Sequence, residues 1–168
     1  MATNLNIEVT PLPRVESHGD LVLNVRDRKI EKLQLRIPES PRFFEAMLVG
    51  RNYTEPSQIT SRICGICSVA HTFTSIQATE DALGIKLNDQ IIKLRKLVNH
   101  GEYIQSNSLH VFFLAAPDFL GIGSVLPLIE TNPAVVNIAV KVKKIGNEIV
   151  RIIGGRAVHP ITTVVGGF

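Results

Sequence analysis

Two short runs near the start of the chain alternate apolar and polar residues with a period of two. Leu21, Leu23 and Val25 form the first, Asp27-Arg28-Lys29 supplies a turn, and Leu33, Leu35 and Ile37 form the second. Alternation on both sides of a polar turn predicts a β-hairpin with one buried face, inside a strand-forming region over residues 7–37. Pro11, Pro13, Pro38 and Pro41 flank it, where a missing N–H does least harm. From Ser40 the period becomes helical. Ser40 followed by Pro41 is a cap-then-proline start, and Phe44, Met47 and Leu48 make an apolar stripe that ends at Gly50. A second helix is predicted from Cys64–Cys67 to Leu83, stopped by Gly84. A third runs from Asp89 to about Ala116, with Ile91, Ile92, Leu94, Leu97 and Val98 in its first half and Pro117 as its stop. A fourth covers Pro133 to Ile153, with Asn132 as N-cap and Gly154-Gly155 behind it.

The pattern contains no internal repeat and no low-complexity linker. It describes an α+β chain: a small β unit over residues 1–38 leading into part of a helical bundle over residues 39–168. The final run, Thr162-Thr163-Val164-Val165-Gly166-Gly167-Phe168, is apolar and mid-pattern, whereas domain ends usually fade into polar residues. The third and fourth helices are apolar on more than one face, as in the interior of a larger bundle. Both features predict a domain that is incomplete at its C-terminus.

Hydrophobic residues make up 45% of the 168 positions and charged ones 20%, the balance of a soluble globular protein. No basic-then-apolar leader opens the chain, and its richest apolar run, Leu109 to Ala116, is too short to span a bilayer. A cytoplasmic protein with no membrane span is expected. The net charge of +3 hints at nucleic acid, but that function wants a dense basic patch interleaved with aromatics. The densest cluster is Lys141, Lys143 and Lys144, and the chain has no Trp. No nucleic-acid partner is expected.

Only two cysteines occur, in Arg62-Ile63-Cys64-Gly65-Ile66-Cys67-Ser68-Val69-Ala70-His71. A disulfide across two residues would close a tiny loop and add little stability. A closed structural zinc site needs two further ligands; His71 can supply one, but no second cysteine pair follows. A thioredoxin-like pair should open a helix directly after a parallel strand, and here a helix and Asn52-Tyr53-Thr54-Glu55-Pro56 come first. An open thiolate site remains. Cysteines three apart at the start of a helix can offer both sulfurs to one metal, and soft thiolates select nickel, copper(I), zinc or iron. Arg62 and the helix N-terminus are expected to favour the deprotonated sulfurs. His71, one helical turn after Cys67, can donate from its ring to a sulfur.

Arg62 to His71 resembles the RxCGxCxxxH signature of nickel–iron hydrogenase large (catalytic) subunits. Its setting is similar to theirs as well: Arg14-Val15-Glu16-Ser17-His18-Gly19 before the hairpin, Ser40-Pro41-Arg42-Phe43-Phe44-Glu45 with Gly50-Arg51, and Gly155-Arg156, His159-Pro160 and Gly166-Gly167 at the end. The motifs stand in family order over essentially the whole chain, as the N-terminal portion of such a subunit. The wording of SPRFFEAML and SRICGICSVAHT is similar to the cytoplasmic, multisubunit branch that couples hydrogen to soluble carriers such as NADP, sulfhydrogenases included.

That resemblance implies a role for each matching residue. Cys64 would be a terminal nickel ligand, and Cys67 a thiolate bridging nickel and an iron that also holds carbon monoxide and cyanide. Glu16 would pass protons to and from a nickel-bound thiolate. Glu45 would contribute to a Mg2+ site, Asp118 would lie in the outer shell near the open metal position, and His71 would hydrogen-bond a cysteine sulfur. The activity implied is reversible heterolytic cleavage of dihydrogen. Electrons would pass to iron–sulfur clusters in a small partner subunit, then on to diaphorase-type subunits, since two committed cysteines cannot also hold a cluster. Taken alone, Glu16 is a solvated loop carboxylate, Glu45 a helix-surface carboxylate, and Asp118 a turn residue after Pro117. His18, His100 and His110 read as structural or exposed, and His159 before Pro160 as turn-shaping.

Two departures from the family pattern stand out. Ser17 occupies a position where the family usually has Gly, and a serine fits there only if the backbone avoids positive φ. The family's second cysteine pair, late histidine and outer-shell arginine are absent, so a further C-terminal portion or subunit with a second CxxC is required. The alternatives are a non-catalytic homologue akin to the large subunit of the respiratory complex that oxidises NADH, which lacks the metal cysteines, and a small zinc-binding module.

Overall fold

A computed structural model describes residues 4–12 and 15–168; Pro13 and Arg14, both named above, lie outside the described residues. The chain divides into two compact units, residues 1–46 and residues 47–168.

The first unit holds three antiparallel strands in the order β1-β2-β3: β1 (Leu5–Val9), β2 (Asp20–Arg26) and β3 (Lys29–Arg36). The expected hairpin is β2-β3, and its two-residue turn has Asp27 and Arg28 at φ 48° and 63°, the pairing a tight hairpin requires. The register places Leu21 opposite Leu35 and Leu23 opposite Leu33, while β1 adds Val9 and Ile7 beside them. The buried face expected there does not materialise. Leu33, Leu35 and Ile37 are exposed, and the buried residue of β2 is Val22, on the opposite face. A single three-stranded layer followed by one short helix has no second layer to cover its apolar side. That helix, α1 (Pro41–Leu48), starts where Ser40-Pro41 predicts, and Gly50 follows it at φ 76°.

The second unit is helical. It comprises α2 (Pro56–Thr60), a 3-10 turn (Ser61–Ile63), α3 (Ser68–Leu83), α4 (Asp89–Leu109), a π-helical turn (His110–Ala115), α5 (Ala116–Phe119), α6 (Leu126–Thr131) and α7 (Pro133–Gly154). Gly84 ends α3 and Gly155 follows α7, at φ 66° and 80°, as their sequence positions predict. Asn88 caps α4, its side chain accepting from Ile91 N at 2.9 Å. Asn132 is the N-cap residue of α7 without a side-chain cap bond.

Pro117 does not end the third helix. The backbone widens first: Ala116 N donates to Val111 O, five residues back. The wider turn leaves Pro117 in the opening turn of α5, where its missing N–H costs nothing.

Val69, Phe73, Val98 and Val150 form the core, with Ile153 and Phe168 packed against it. Phe168 is thus partly covered, while Val164 in the same final run is exposed. The buried stripe of α4 differs from the apolar one in its sequence. It consists of Arg95, Val98, Gly101, Glu102, Gln105 and Ser108, while Ile92 and Leu97 are exposed. Ile138, Val140, Ile145 and Ile152 of α7 are exposed too, so both long helices present apolar residues on a second face, as expected. Helices α4 and α7 cross at Gly101 and Gly146, which have no side chains to hold them apart.

Among the described residues, no helix is long and apolar enough to cross a membrane.

Candidate metal centre

The CxxC turn joins the 3-10 turn to α3. Cys64 is extended, at φ −147° and ψ 132°, and Cys67 occupies the N-cap position of α3. Their Cα atoms are 5.5 Å apart and their sulfurs are bonded to each other. Cys67 N also donates to Cys64 Sγ at 3.1 Å. The spacing therefore brings both sulfurs to one point. Binding a metal there requires the reduced pair, because the ligand form of cysteine is the thiolate.

Polar side chains from distant parts of the chain hold this turn. Glu102 on α4 accepts from Val69 N at 2.7 Å and from Ala70 N at 3.1 Å. Gln105, one turn further along, donates to Ile66 O at 2.7 Å and accepts from Lys143 Nζ of α7 at 2.9 Å. His159 N donates to Ser68 Oγ, and its Nδ1 lies 2.9 Å from Ser61 O. Burial raises the Glu102 pKa above its ordinary value, against the pull of the two amides, and burial lowers that of Lys143. Sequence reasoning missed Glu102, Gln105 and Lys143. It assigned His159 a turn-shaping role, and its φ of 56° before Pro160 matches that.

This arrangement corrects one expectation. The first amides of α3 were to favour deprotonated sulfurs; Val69 and Ala70 instead donate to a carboxylate, and Arg62 is exposed. A carboxylate at a helix N-terminus offsets its positive end. The amide that does donate to a sulfur is that of Cys67, within the turn itself.

The remaining candidates separate. His71 N donates to Cys67 O at 3.2 Å, which places the ring one turn along α3. The half-buried His71 lines a shallow apolar groove with Leu48, Tyr53, Thr60 and Leu83. Asp118 lies exposed on α5 beside the buried Pro117. Glu16 and Glu45 belong to the first unit, while Cys64, Cys67, His71 and Asp118 belong to the second. Glu45 is exposed, with Arg42 Nη1 at 3.2 Å from its Oε2. Glu16 is exposed in the irregular segment before β2. Its neighbour Ser17 adopts φ 70°, a left-handed conformation that a serine fits poorly. A Cβ in that region costs about 1 kcal/mol or more, a cost glycine would not carry.

A buried ion pair anchors the far end of α3. Arg95 Nη1 and Nη2 donate to Glu80 Oε2 and Oε1 at 2.8 and 2.6 Å, and Nη2 also reaches the carbonyls of Val164 and Gly167. Gly166 N donates to Glu80 Oε1 at 2.7 Å. The Arg95 guanidinium holds the Glu80 pKa below its ordinary value, against the effect of burial. A depressed carboxylate pKa contributes stability that is present above the unfolded value, about 4.3, and is lost as pH falls through the folded value. Acid titration of the fold should therefore show a loss below about pH 4. Glu80→Gln should be less stable at neutral pH and should lack that part of the acid dependence, as circular dichroism against pH can show.

Two soft sulfurs meeting at one point suit nickel, iron, copper(I) or zinc. Among the described residues, no group of three or more His, Cys, Asp or Glu side chains gathers to hold a metal. Cys64 and Cys67 are thus two converging sulfur donors, with no third such side chain gathered beside them among the described residues.

Residues 42–139 match the model of the nickel-dependent hydrogenase family. The chain belongs to that family, as an N-terminal portion of its large subunit. It is 37% identical to the alpha subunit of sulfhydrogenase 2 from Pyrococcus furiosus, over 96% of this chain and 39% of that protein. It is also 37% identical to one subunit of the F420-non-reducing hydrogenase vhu from Methanocaldococcus jannaschii, over 96% of this chain and 40% of that one. Among solved structures, an NAD+-reducing [NiFe]-hydrogenase in the H2-reduced state superposes with a TM-score of 0.78 and 32% identity. The superposition covers all of this chain and 39% of that one. The chain thus spans about two fifths of the length of these relatives.

Proposed function

We propose that this chain forms part of the catalytic large subunit of a nickel–iron hydrogenase, and that its CxxC turn supplies half of the metal ligands. The carrying observation is the convergence of Cys64 and Cys67 sulfurs at the mouth of α3, in a chain of the nickel-dependent hydrogenase family. Reduced, Cys64 and Cys67 would hold a nickel–iron centre through their thiolates, and the carbon monoxide and cyanide on its iron would come from no protein residue. When bound, that centre supplies the Lewis acidity that polarises dihydrogen for heterolytic cleavage. A cysteine thiolate would accept a proton and Glu16 would relay it towards solvent. His71 would donate to a sulfur and tune it, Asp118 would lie in the outer shell of the centre, and Glu45 would contribute to a Mg2+ site.

A second CxxC, on a further C-terminal segment or subunit, completes the ligand set and covers the exposed apolar faces of α4 and α7. Electrons leave through the clusters of a small iron–sulfur subunit to diaphorase-type subunits and a soluble carrier, in the cytoplasm. Metal analysis of the assembled protein tests this. Nickel together with iron is expected; zinc alone or no metal would exclude it. Glu16→Gln should leave the metals in place and slow hydrogen–deuterium exchange between dihydrogen and solvent, because an amide cannot carry the proton. Exchange at the parent rate would move the proton path elsewhere.

A further inference from the structure

Cys67 is bracketed by bonds to a single helix. Ile66 O, in the peptide that joins Ile66 to Cys67, accepts from Gln105 Nε2 at 2.7 Å. Just beyond, the amides of Val69 and Ala70 donate to the two oxygens of Glu102. Glu102 and Gln105 are three apart on α4 and both are buried, so one face of that helix supplies both contacts. The Gln105 amide has a fixed orientation, because Lys143 Nζ occupies its oxygen and leaves its nitrogen for the carbonyl.

Burying a carboxylate is costly unless its hydrogen bonds are made, and an apolar residue would fill position 102 without that cost. The amides explain the choice. The first N–H groups of a helix are normally satisfied by a Ser, Thr, Asp or Asn side chain at the N-cap. Here the N-cap residue is Cys67, whose sulfur is engaged with Cys64 and forms no cap bond. We infer that Glu102 and Gln105 are positioning residues for Cys67: Glu102 replaces the cap that Cys67 cannot provide, and Gln105 fixes the peptide before it. Together they set the direction of the Cys67 sulfur without touching a metal. The effect on nickel rests on the function proposed above; the effect on the turn does not.

Two same-size variants test this in the assembled protein. Glu102→Gln has one acceptor oxygen and presents an NH2 to one of the two amides. Gln105→Glu keeps an acceptor for Lys143 but turns a second oxygen on Ile66 O. In Glu102→Gln, amide hydrogen exchange at Val69 and Ala70 should accelerate about tenfold or more, while Ile76 and Val150 exchange as in the parent. In both variants the nickel electron paramagnetic resonance signature should shift and nickel affinity should fall about tenfold to a hundredfold. Lys144→Ala, exposed on α7, should match the parent in every respect. Unchanged exchange at Val69 and Ala70 would overturn the inference whatever the metal does. Faster exchange with an unaltered nickel signature would also overturn it, by reducing the contact to a structural cap. Should Glu102→Gln not fold, the signature of Gln105→Glu decides alone. Parent protein without nickel would defeat the proposed function, and the exchange rates would still decide whether Glu102 and Gln105 hold the turn.

Discussion

Cys67→Ser is expected to abolish the hydrogen activation proposed for the assembled enzyme while changing the stability of the fold little. The two halves of this expectation have separate causes. A hydroxyl is a hard donor that stays protonated at neutral pH, so it would be a poor ligand for the soft metals proposed above. Cys67 is also the N-cap residue of α3, but the Val69 and Ala70 amides already donate to Glu102, so a serine there leaves the capping of the helix as it is. Loss of activity would therefore not be a symptom of unfolding. Hydrogen oxidation rate, nickel content and thermal midpoint should be measured on one preparation. Activity with intact nickel in the variant would remove the assignment of Cys67.

Gly146→Ala should be the most damaging single methyl in the helical unit. A Cβ there would lie 2.5 Å from Gln105 N and 2.7 Å from Gly101 O, both backbone atoms that move only if α4 and α7 separate. Overpacking usually costs about 1–3 kcal/mol, and contact with backbone on two sides puts this case at about 3 kcal/mol. Gly101→Ala makes a useful comparison. Its Cβ would meet Ile149 and Val150 methyls at 2.9 Å, which can shift, and Gly146 O at 3.1 Å. It should cost less. Urea unfolding of both variants against the parent gives the order, and parent-like stability of Gly146→Ala would show that the helices part freely.

Period and punctuation carried much of the architecture. The β2-β3 hairpin, α1, α3 and α7 lie where alternation, Ser40-Pro41, Gly84 and Gly154-Gly155 place them, because those signals act locally on the backbone. The cysteine pair was legible for the same reason, since three residues of spacing decide whether two sulfurs can meet. Non-local features were hidden. Glu102, Gln105 and Lys143 carry no local signal of their role, because a helix pattern counts polar side chains as outward. Their roles depend on partners 32 to 39 residues away. One clue was available: Val98, Gly101, Glu102, Gln105 and Ser108 share one helical stripe, and the glycine in it marks close approach. Pro117 misled because the widened turn before it arises from the backbone's own register. Ser17 at positive φ was flagged by residue type, yet the chain accepts the strain there.

The bonds around the CxxC turn also impose an order of events during synthesis. His159 meets Ser61 across 98 residues of sequence and Ser68 across 91. At the far end of α3, Gly166 meets Glu80 across 86. At roughly 5–20 residues per second, the ribosome takes about 5 to 20 seconds to make the stretch that separates the cysteines from His159. Throughout that interval the turn lacks its outer fastenings, and the two thiols stand on an unfinished support. Any metal the pair is proposed to hold would meet the fully fastened turn only after His159 has left the exit tunnel.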